Sequence, residues 1–188
     1  MQTEAAWETL YAPYDQPTYQ AVLDWIRSDD VVLDIGAGDL RFSRQMAINA
    51  RKVYAVEIDA QVLEQAYAAR DPLPANLTPI RADARALDFP SDVTAGVLLM
   101  RHCTCFRVYA EKLQKAGATR LITNARWRMS VEEVDLFARR QSFAEAGMGW
   151  YACRCGRTGF KEGSVADWSM ELDGRTNEVS DCPYCMQI

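Results

Sequence analysis

Between residues 17 and 125, short apolar segments alternate with segments of helical periodicity. The apolar segments have the length of strands, and strands buried on both faces read as continuous hydrophobic runs. Strands and helices in regular alternation predict a parallel sheet with helices on both faces. The predicted strands are VVLDI (31–35), RKVYAVEID (51–59), LTPIRADA (77–84), TAGVLLM (94–100) and TRLITNA (119–125), and the predicted helices are 17–27, 40–50, 60–70 and 106–117.

A further helix is predicted over SVEEVDLFARRQSFAEAG (130–147), where Ser130 and Glu133 fit a capping box. After Gly149 the pattern changes. WYACRCGRTGF (150–160) and VADWSMELDG (165–174) are typical of β-structure, because apolar and polar residues alternate before an Asp-Gly turn. We therefore expect one α/β domain over residues 1–149 and a small β extension packed on it over residues 150–188.

The composition is that of an ordinary folded protein. The chain has 188 residues, of which 49% are hydrophobic and 25% are charged, which is enough for one α/β domain and a small accessory element. No apolar run approaches the roughly 20 residues that span a bilayer. The first residues, MQTEAAWETLYAPYD, lack the basic-then-apolar order of a signal peptide. We expect a cytoplasmic protein with no membrane partner.

The stretch VVLDIGAGDLRFS (31–43) indicates a nucleotide-binding turn. Gly36 and Gly38 follow a predicted strand and precede a predicted helix, so backbone amides and the positive end of that helix can meet a ligand at the carboxyl edge of the sheet. Leu40 stands where a third small residue often follows. Glu57 ends the second predicted strand, where its carboxylate can accept hydrogen bonds from ribose hydroxyls. These features alone also fit a dinucleotide-binding domain.

Two carboxylates favour a different nucleotide. Asp34 lies two residues before Gly36, where dinucleotide enzymes usually have an apolar residue. A carboxylate at that position suits a ligand that carries positive charge. Asp83 follows the third predicted strand in IRADARAL (80–87), where it and the neighbouring amides can meet an adenine ring.

VLDIGAGDLRFS (32–43), VYAVEID (53–59) and RADARAL (81–87) together resemble the first three motifs of class I S-adenosylmethionine-dependent methyltransferases, in order and in spacing. The resemblance covers roughly residues 5–147 and implies a Rossmann-like, doubly wound, mostly parallel sheet. In that family the glycine loop lies against the amino-acid part of the cofactor, the acid that ends the second strand holds the ribose, and the acid after the third strand meets the adenine amine. The third glycine is the most dispensable, so Leu40 is a mild departure. The resemblance implies that the cofactor-binding residues are Asp34, Ile35, Gly36, Ala37, Gly38, Glu57, Ile58, Asp83, Ala84 and Met100.

The family places substrate-facing residues after the fourth strand, here LLMRHCTCF (98–106). An Asn-Pro-Pro-Tyr type of motif is absent there, so the resemblance does not identify the methyl acceptor. His102 is the single histidine, and its ordinary pKa near 6.5 suits a general base; the alternative is a structural role. TNARWRM (123–129) leaves the same sheet edge, and guanidinium groups favour carboxylate or phosphate partners. The predicted acceptor-facing residues are Arg101, His102, Arg126 and Trp127, with surface arginines and a packing tryptophan as the alternative.

The charge is unevenly distributed. Between Arg101 and Arg128 there are seven cations and one anion, so this segment carries +6 while the net charge of the chain is −5. A solvated helix face or a local anion-attracting site would each explain this excess. The acidic remainder and the lack of an extended basic face favour a small-molecule acceptor over a long nucleic acid, with RNA or protein as further options.

The six cysteines form three close pairs. CRCG (153–156) and CPYC (182–185) resemble the two knuckles of a zinc ribbon, and their four thiolates would complete a tetrahedral Zn²⁺ shell. We predict that Cys153, Cys155, Cys182 and Cys185 bind zinc. The alternative is redox chemistry, because Cys-Pro-Tyr-Cys is also the active-site tetrapeptide of glutaredoxins. Cys103 and Cys105 are expected to be small, partly buried residues.

Two functional hypotheses remain. The first is an S-adenosylmethionine-dependent methyltransferase with a C-terminal zinc knuckle and an unidentified, anionic or planar acceptor. The second is a non-catalytic binding or assembly module that keeps the fold and uses the zinc ribbon and the basic segment as a contact surface. Binding of the cofactor distinguishes them.

Overall fold

A computed structural model describes residues 14–68, 72–101, 103–126, 131–164, 166, 169 and 175–185. Thirteen helices and strands lie in this part of the chain. In chain order they are α1 (Gln16–Leu23), β1 (Val31–Ile35), α2 (Arg41–Asn49), β2 (Lys52–Glu57), α3 (Ala60–Ala68), β3 (Leu77–Arg81), β4 (Ala95–Leu98), α4 (Phe106–Ala116), β5 (Arg120–Thr123), β6 (Glu132–Asp135), β7 (Gly149–Cys153), β8 (Thr158–Lys161) and β9 (Thr176–Val179).

Two sheets organise the described residues. The larger has the order β3-β2-β1-β4-β5-β6, with β1 to β5 parallel and β6 antiparallel to β5. The smaller has the order β8-β7-β9. The predicted Rossmann-like, doubly wound, mostly parallel sheet is confirmed, and so are the five strands read from its apolar runs. No helix within the described ranges is long and apolar enough to cross a bilayer.

The larger sheet separates two hydrophobic cores. Every residue of β1 is buried, and its side chains point alternately to the two faces. Val32 belongs to the core that includes Phe42 and Met46 of α2, called here the α2-side core. Leu33 belongs to the core that includes Leu113 of α4, called here the α4-side core. A central strand buried on both faces is what the continuous run VVLDI predicts.

The prediction of a helix over residues 130–147 is wrong. Residues 132–135 form β6, which pairs with β5 so that Leu121 lies opposite Val134. Val134 and Leu136 are buried while Asp135 is exposed, which is the two-residue period of a strand. Pairing with the sheet edge therefore outweighs the helical pattern in the sequence.

The glutamates of β6 explain the same error. Glu133, which we assigned to a capping box, instead forms an ion pair with the buried Arg120 of β5, and Arg120 also binds Asp30. Ser130 lies outside the described residues. A capping-box pattern does occur twelve residues later, because Ser142 N and Oγ both donate to Glu145 Oε2; there it closes a single turn.

The smaller sheet packs around a small core of its own. This core contains Tyr151 and Val179 together with Cys153 and Cys182, and Phe143 and Ala146 pack into it. It therefore includes residues from both sides of the expected boundary at residues 149 and 150. The predicted strand over residues 165–174 falls almost wholly outside the described residues.

Candidate active site and cysteine cluster

The turn between β1 and α2 carries its glycines in left-handed backbone conformations. The φ angle is +78° at Gly36 and +58° at Gly38. A Cβ atom at Gly36 would meet the flexible end of Met100, whereas no described atom lies within 4 Å of a Cβ at Gly38. The left-handed backbone favours glycine at Gly36, and the end of Met100 would have to shift for any larger residue. At Gly38 the loop is open.

Leu40 shows how the loop manages without a third small residue. Its φ is +65°, which is uncommon for a residue with a side chain. Its side chain is fully buried in the α2-side core with Phe42 and Met46, and its amide donates to Ala37 O at 3.2 Å. The leucine therefore points into the core and leaves the ligand edge of the loop to the backbone.

Glu57 ties the glycine loop to the end of β2. Its Oε2 accepts the amide of Gly38 at 2.9 Å, and its Oε1 accepts the amides of Ile58 at 2.8 Å and Asp59 at 2.9 Å. A carboxylate offers about four acceptor sites. Three are used here, so acceptor capacity remains for a ligand hydroxyl, and the side chain is only partly buried.

Asp34 is a buried carboxylate beneath this loop. It is 5% exposed, and Ser43 Oγ of α2 donates to its Oδ2 at 2.6 Å. Burial raises the pKa of Asp34 to about 6; the hydrogen bond from Ser43 opposes the rise and the charge of Glu57 adds to it. A positively charged ligand would relieve the cost of burying this charge.

Asp83 lies after β3 and already has a partner. Nε and Nη2 of Arg85 donate to its carboxylate at 2.7–3.0 Å, and these bonds lower the pKa of Asp83 to about 2. Asp83 is therefore ionised at neutral pH, and an adenine amine would share it with Arg85. Of the other predicted cofactor residues, Ile35 and Ala84 are buried, Ala37 and Met100 are partly buried, and Ile58 is 60% exposed.

The segment after β4 places Arg101 at the same edge of the sheet. The Arg101 guanidinium is exposed and lies 4.5 Å from the centre of the Tyr14 ring. The Tyr14 hydroxyl accepts from the amide of Arg101 at 3.3 Å and donates to Leu99 O at 3.1 Å. His102 and Trp127, which we predicted to face the acceptor, lie outside the described residues.

Arg126 lies in a buried ion-pair network. Nε and Nη2 bind Glu132 at 2.8 and 2.7 Å, and Nη1 and Nη2 bind Glu178 of β9 at 3.1 and 2.7 Å. Four of the five N–H groups of this guanidinium are thus engaged. Contact between Arg126 and the acceptor stays a prediction, and it would require one of these carboxylates to give way.

The basic residues between 101 and 126 do not gather on one surface. Arg101 lies beside Tyr14, Arg120 and Arg126 are buried in ion pairs, and Arg107 binds Glu111 on the exposed side of α4. The charge excess in this segment is therefore divided among separate locations.

Comparisons with known proteins agree with this geometry. Residues 32–121 match a family model described as "Methyltransferase domain". This range contains β2, β3 and β4, all of β1 except its first residue, the first two residues of β5, and every predicted cofactor residue. The match supports the expected resemblance of residues 32–121 to class I S-adenosylmethionine-dependent methyltransferases. Among curated protein sequences, none matches the chain significantly.

Solved structures show the fold of this methyltransferase domain. The chain is similar to a precorrin 8W decarboxylase from Methanobacterium thermoautotrophicum, with 19% identity and a TM-score of 0.51 over 61% of this chain and 65% of that one. It is also similar to the 23S rRNA methyltransferase ErmE, with 21% identity and a TM-score of 0.51 over 58% of this chain and 46% of that one. The chain thus spans less than two thirds of either protein, and identities this low show the fold alone.

Four cysteines outside the methyltransferase match come together in the smaller sheet. The Sγ atoms of Cys153, Cys155, Cys182 and Cys185 all lie within 4.8 Å of one another. Individual separations are 3.6 Å for Cys153–Cys185 and Cys182–Cys185, and 3.8 Å for Cys155–Cys182. Sulfurs bound tetrahedrally to zinc at about 2.3 Å are about 3.8 Å apart, whereas a disulfide is about 2.05 Å long. The spacing is that of metal ligands.

Both cysteine pairs lie in tight turns. The amide of Gly156 donates to Cys153 O at 2.8 Å, and that of Cys185 donates to Cys182 O at 2.9 Å. Gly156 has a φ of +93°, and a Cβ there would lie 2.7 Å from Cβ of Phe106, the first residue of α4. The turn that contains Cys153 and Gly156 therefore packs directly on the start of α4.

The thiols differ in their acidity. Burial raises the pKa of Cys153 strongly and that of Cys155 to about 11. At Cys185 burial also acts upward, but hydrogen bonds from the other three thiols bring its pKa below the usual value. Cys103 and Cys105 are partly buried against the α4-side core, as expected.

The structure also brings in residues that sequence reasoning missed. Ser43 occupies the apolar stripe of α2 with Met46 and Ala47, and a polar residue in such a stripe needs a buried partner; that signal was available. Tyr14 and Glu178 offer no comparable signal, since their partners are 85 and 52 residues away in the sequence.

Proposed function

We propose that this chain is an S-adenosylmethionine-dependent methyltransferase that binds its cofactor at the carboxyl ends of β1, β2 and β3. The observation that carries the proposal is the Glu57 carboxylate, which is held by three backbone amides beside an open glycine loop. That arrangement suits a ribose diol, because unused acceptor capacity lies next to a backbone that a ligand can approach closely.

The two other carboxylates fit the ends of the same ligand. Asp34 would compensate the positively charged amino-acid part, since it is buried beneath the loop and accepts a hydrogen bond from the Ser43 hydroxyl. Asp83 would accept from the adenine amine while it keeps its bond to Arg85. Hydrophobic contact with the adenine would come from Ile58, which is otherwise an exposed large apolar side chain.

When bound, the cofactor supplies a methyl group on a positively charged sulfur. Methyl transfer is a direct displacement, so alignment of the acceptor with that group is the main task of the protein. Arg101, held by the Tyr14 ring and hydroxyl, would bind an anionic or planar acceptor at the adjoining edge. We retain His102 as the candidate general base and Trp127 as a candidate stacking residue. Arg126 would support this edge from behind by its bonds to β6 and β9.

A small-molecule acceptor remains our first expectation, since the described cations are dispersed rather than arranged along a nucleic-acid path. RNA and protein acceptors are the alternatives. The similarity to proteins that act on either kind of molecule is a similarity of fold.

We further propose that the four clustered cysteines bind one Zn²⁺ and that residues 150–188 form an extension held together by it. The four sulfur positions fit a tetrahedral shell. A zinc tetrathiolate carries two negative charges, and Arg107, Arg154 and Arg157 lie on or beside the two turns. A shell of four protein ligands has no open position, so the metal would be structural.

Calorimetry tests the cofactor proposal. We expect the purified chain to bind S-adenosylmethionine and S-adenosylhomocysteine. We expect Asp34→Asn to lower the affinity for S-adenosylmethionine at least about tenfold, because a buried charge partner is lost. Asp92→Asn is the matched control, because Asp92 is an exposed carboxylate bonded to Tyr54. Absence of binding by the unaltered chain would refute the proposal and favour a non-catalytic module.

Metal analysis tests the zinc proposal. We expect about one zinc per chain, and loss of that zinc in Cys182→Ser. Cys103→Ser should keep the metal, because Cys103 packs on the α4-side core. A metal-free chain with its four clustered thiols reactive would contradict the assignment.

A further inference from the structure

Asn124 is a buried side chain whose polar atoms have no partner. It is 1% exposed, and neither Oδ1 nor Nδ2 makes a hydrogen bond within the part of the chain that the structure describes. Nearly all buried polar side-chain atoms in proteins are hydrogen-bonded, and an unsatisfied one destabilises the fold. A carboxamide with both halves unpaired therefore indicates that something other than folding uses it.

The residue lies at the carboxyl edge of the sheet. Thr123, which precedes it, pairs with Leu98 of β4. One position earlier along the parallel strands, Ile122 of β5 and Asp34 of β1 both pair with Val97 of β4. Asn124 directly follows β5, so it lies at the carboxyl end of the sheet, two strands away from the end of β1 that carries Asp34.

The neighbours of Asn124 are satisfied. Thr123 Oγ1 donates to Leu98 O at 2.7 Å and accepts the amide of Ala125 at 3.0 Å. Leu99 O, at the corresponding position after β4, accepts the Tyr14 hydroxyl. The strand end is thus well ordered in its hydrogen bonding, and the unpaired carboxamide is a local exception.

We propose that Asn124 is a specificity residue of the methyl-acceptor site, where its carboxamide pairs with the edge of a nucleobase. The proposal rests on the proposed methyltransferase function. Two strand spacings separate Asn124 from the glycine loop, about 10 Å, which places it toward the acceptor rather than the amino-acid part of the cofactor. A carboxamide presents one acceptor oxygen beside two N–H donors, and a base edge with an adjacent donor and acceptor completes both, as when asparagine pairs with adenine.

A stability comparison tests whether the carboxamide serves the fold. Asn76 is the matched control, because its Nδ2 donates to Ala47 O at 2.9 Å and Ala50 O at 3.0 Å. We expect Asn124→Leu to raise the melting temperature by roughly 2–4 °C and Asn76→Leu to lower it. S-adenosylhomocysteine affinity of Asn124→Leu should stay within about twofold of the unaltered chain, since the sites are separate. A melting temperature that does not rise in Asn124→Leu would overturn the inference.

Nuclear magnetic resonance of the unaltered chain tests the ligand. The protein is labelled with ¹⁵N-asparagine and saturated with S-adenosylhomocysteine, so that the cofactor site is filled. We expect adenosine or cytidine to shift the side-chain NH₂ signal of Asn124, and N6,N6-dimethyladenosine to leave it unmoved because its donor is blocked. Benzamide serves as the test for a simple amide in place of a nucleobase.

The outcomes separate the two proposals. Failure of S-adenosylhomocysteine to bind refutes the proposed function. If S-adenosylhomocysteine binds, three results would each refute the nucleobase inference and leave the cofactor proposal standing. The Asn124 signal could stay unmoved by adenosine and cytidine, it could move with the dimethylated base, or it could move with benzamide alone.

Discussion

The glycine-loop edge and the cysteine cluster are two candidate sites built in different ways. At the loop, main-chain groups do the holding: Val56 O accepts the amides of Gly36 and Ala37, and Glu57 accepts three more amides. At the cluster, side chains converge, and two of the four presumed ligands, Cys153 and Cys182, are themselves part of the small core.

This difference implies a difference in how each site depends on its ligand. The loop is anchored to a six-stranded sheet with cores on both faces, so it keeps its shape without a ligand. The cysteine element has few apolar contacts of its own, and small elements of this kind usually need a metal or disulfides. We therefore expect the loop to be preformed and the cysteine element to be assembled by zinc.

Metal removal should have the largest effect on stability. It tests directly whether the cysteine element, unlike the glycine loop, depends on its ligand for its structure. Structural zinc contributes on the order of 10 kcal/mol in small zinc domains, so chelation should abolish hydrogen-exchange protection in β7 and β9. Protection in β1 and β4 should persist, and S-adenosylhomocysteine should still bind. Equal protection of β7 and β9 with and without metal would show that the element is as preformed as the loop.

Removing the link between the two regions should have the next largest effect. Arg126→Met leaves Glu132 without this cation and leaves Glu178 paired with Arg140, which we expect to destabilise the chain by about 3 kcal/mol in urea unfolding. Arg107→Met is the control with a far smaller effect, because its pair with Glu111 is exposed. If Arg126→Met unfolds like the unaltered chain, the two regions are independent.

The glycine loop can be tested residue by residue. Gly36→Ala should lose about 2 kcal/mol of stability, because left-handed strain adds to the small cost of shifting the flexible end of Met100. Gly38→Ala should lose about 1 kcal/mol, since it has the strain without the contact with Met100. Gly147→Ala, with neither, is the control. The double variant Gly36→Ala with Met100→Ala should recover only the part of the lost stability that comes from the contact with Met100. Recovery of all the lost stability would mean that the backbone at Gly36 is not strained.

Asp34 should give an effect on stability whose size depends on pH. Its folded pKa of about 6 lies above the ordinary value of 3.8 for an aspartate, so the folded state holds the proton more tightly. The stability associated with that proton is present at low pH and is lost as the pH rises from about 4 through 6. Asp34→Asn should therefore be about 3 kcal/mol more stable than the unaltered chain at pH 7.5 and near equal at pH 4, as measured by urea unfolding. An advantage that does not grow with pH would contradict the assignment.

Much of the fold was predictable because its signals are local. β1 is a run of buried residues flanked by turn residues, and the glycines after it predict the loop. The helix expected over residues 130–147 shows where local signals fail. Val131, Val134 and Phe137 have the spacing of a helix face. The free edge of β5 and the cations at Arg120 and Arg126 instead select the two-residue period of Val134 and Leu136.

The candidate site divides in the same way. The acids Asp34, Glu57 and Asp83 were predictable by position, since parallel strands end at one edge of the sheet. The ion pair between Arg126 and Glu178 was not predictable, because the two residues are 52 positions apart in the sequence. Asn124 belongs to this second group, since a missing hydrogen bond is visible only when every neighbour is in place.

The sequence by itself determined the alternation of strands and helices, the glycine loop with its acids, and the pairing of cysteines into two turns, because each depends on residues close together in the chain. Tertiary structure alone decided that residues 132–135 add an antiparallel edge strand, that Arg126 binds two carboxylates away from solvent, and that Asn124 is left unpaired. These outcomes depend on contacts between distant segments, whose strength is set by burial and by charge pairing rather than by local periodicity.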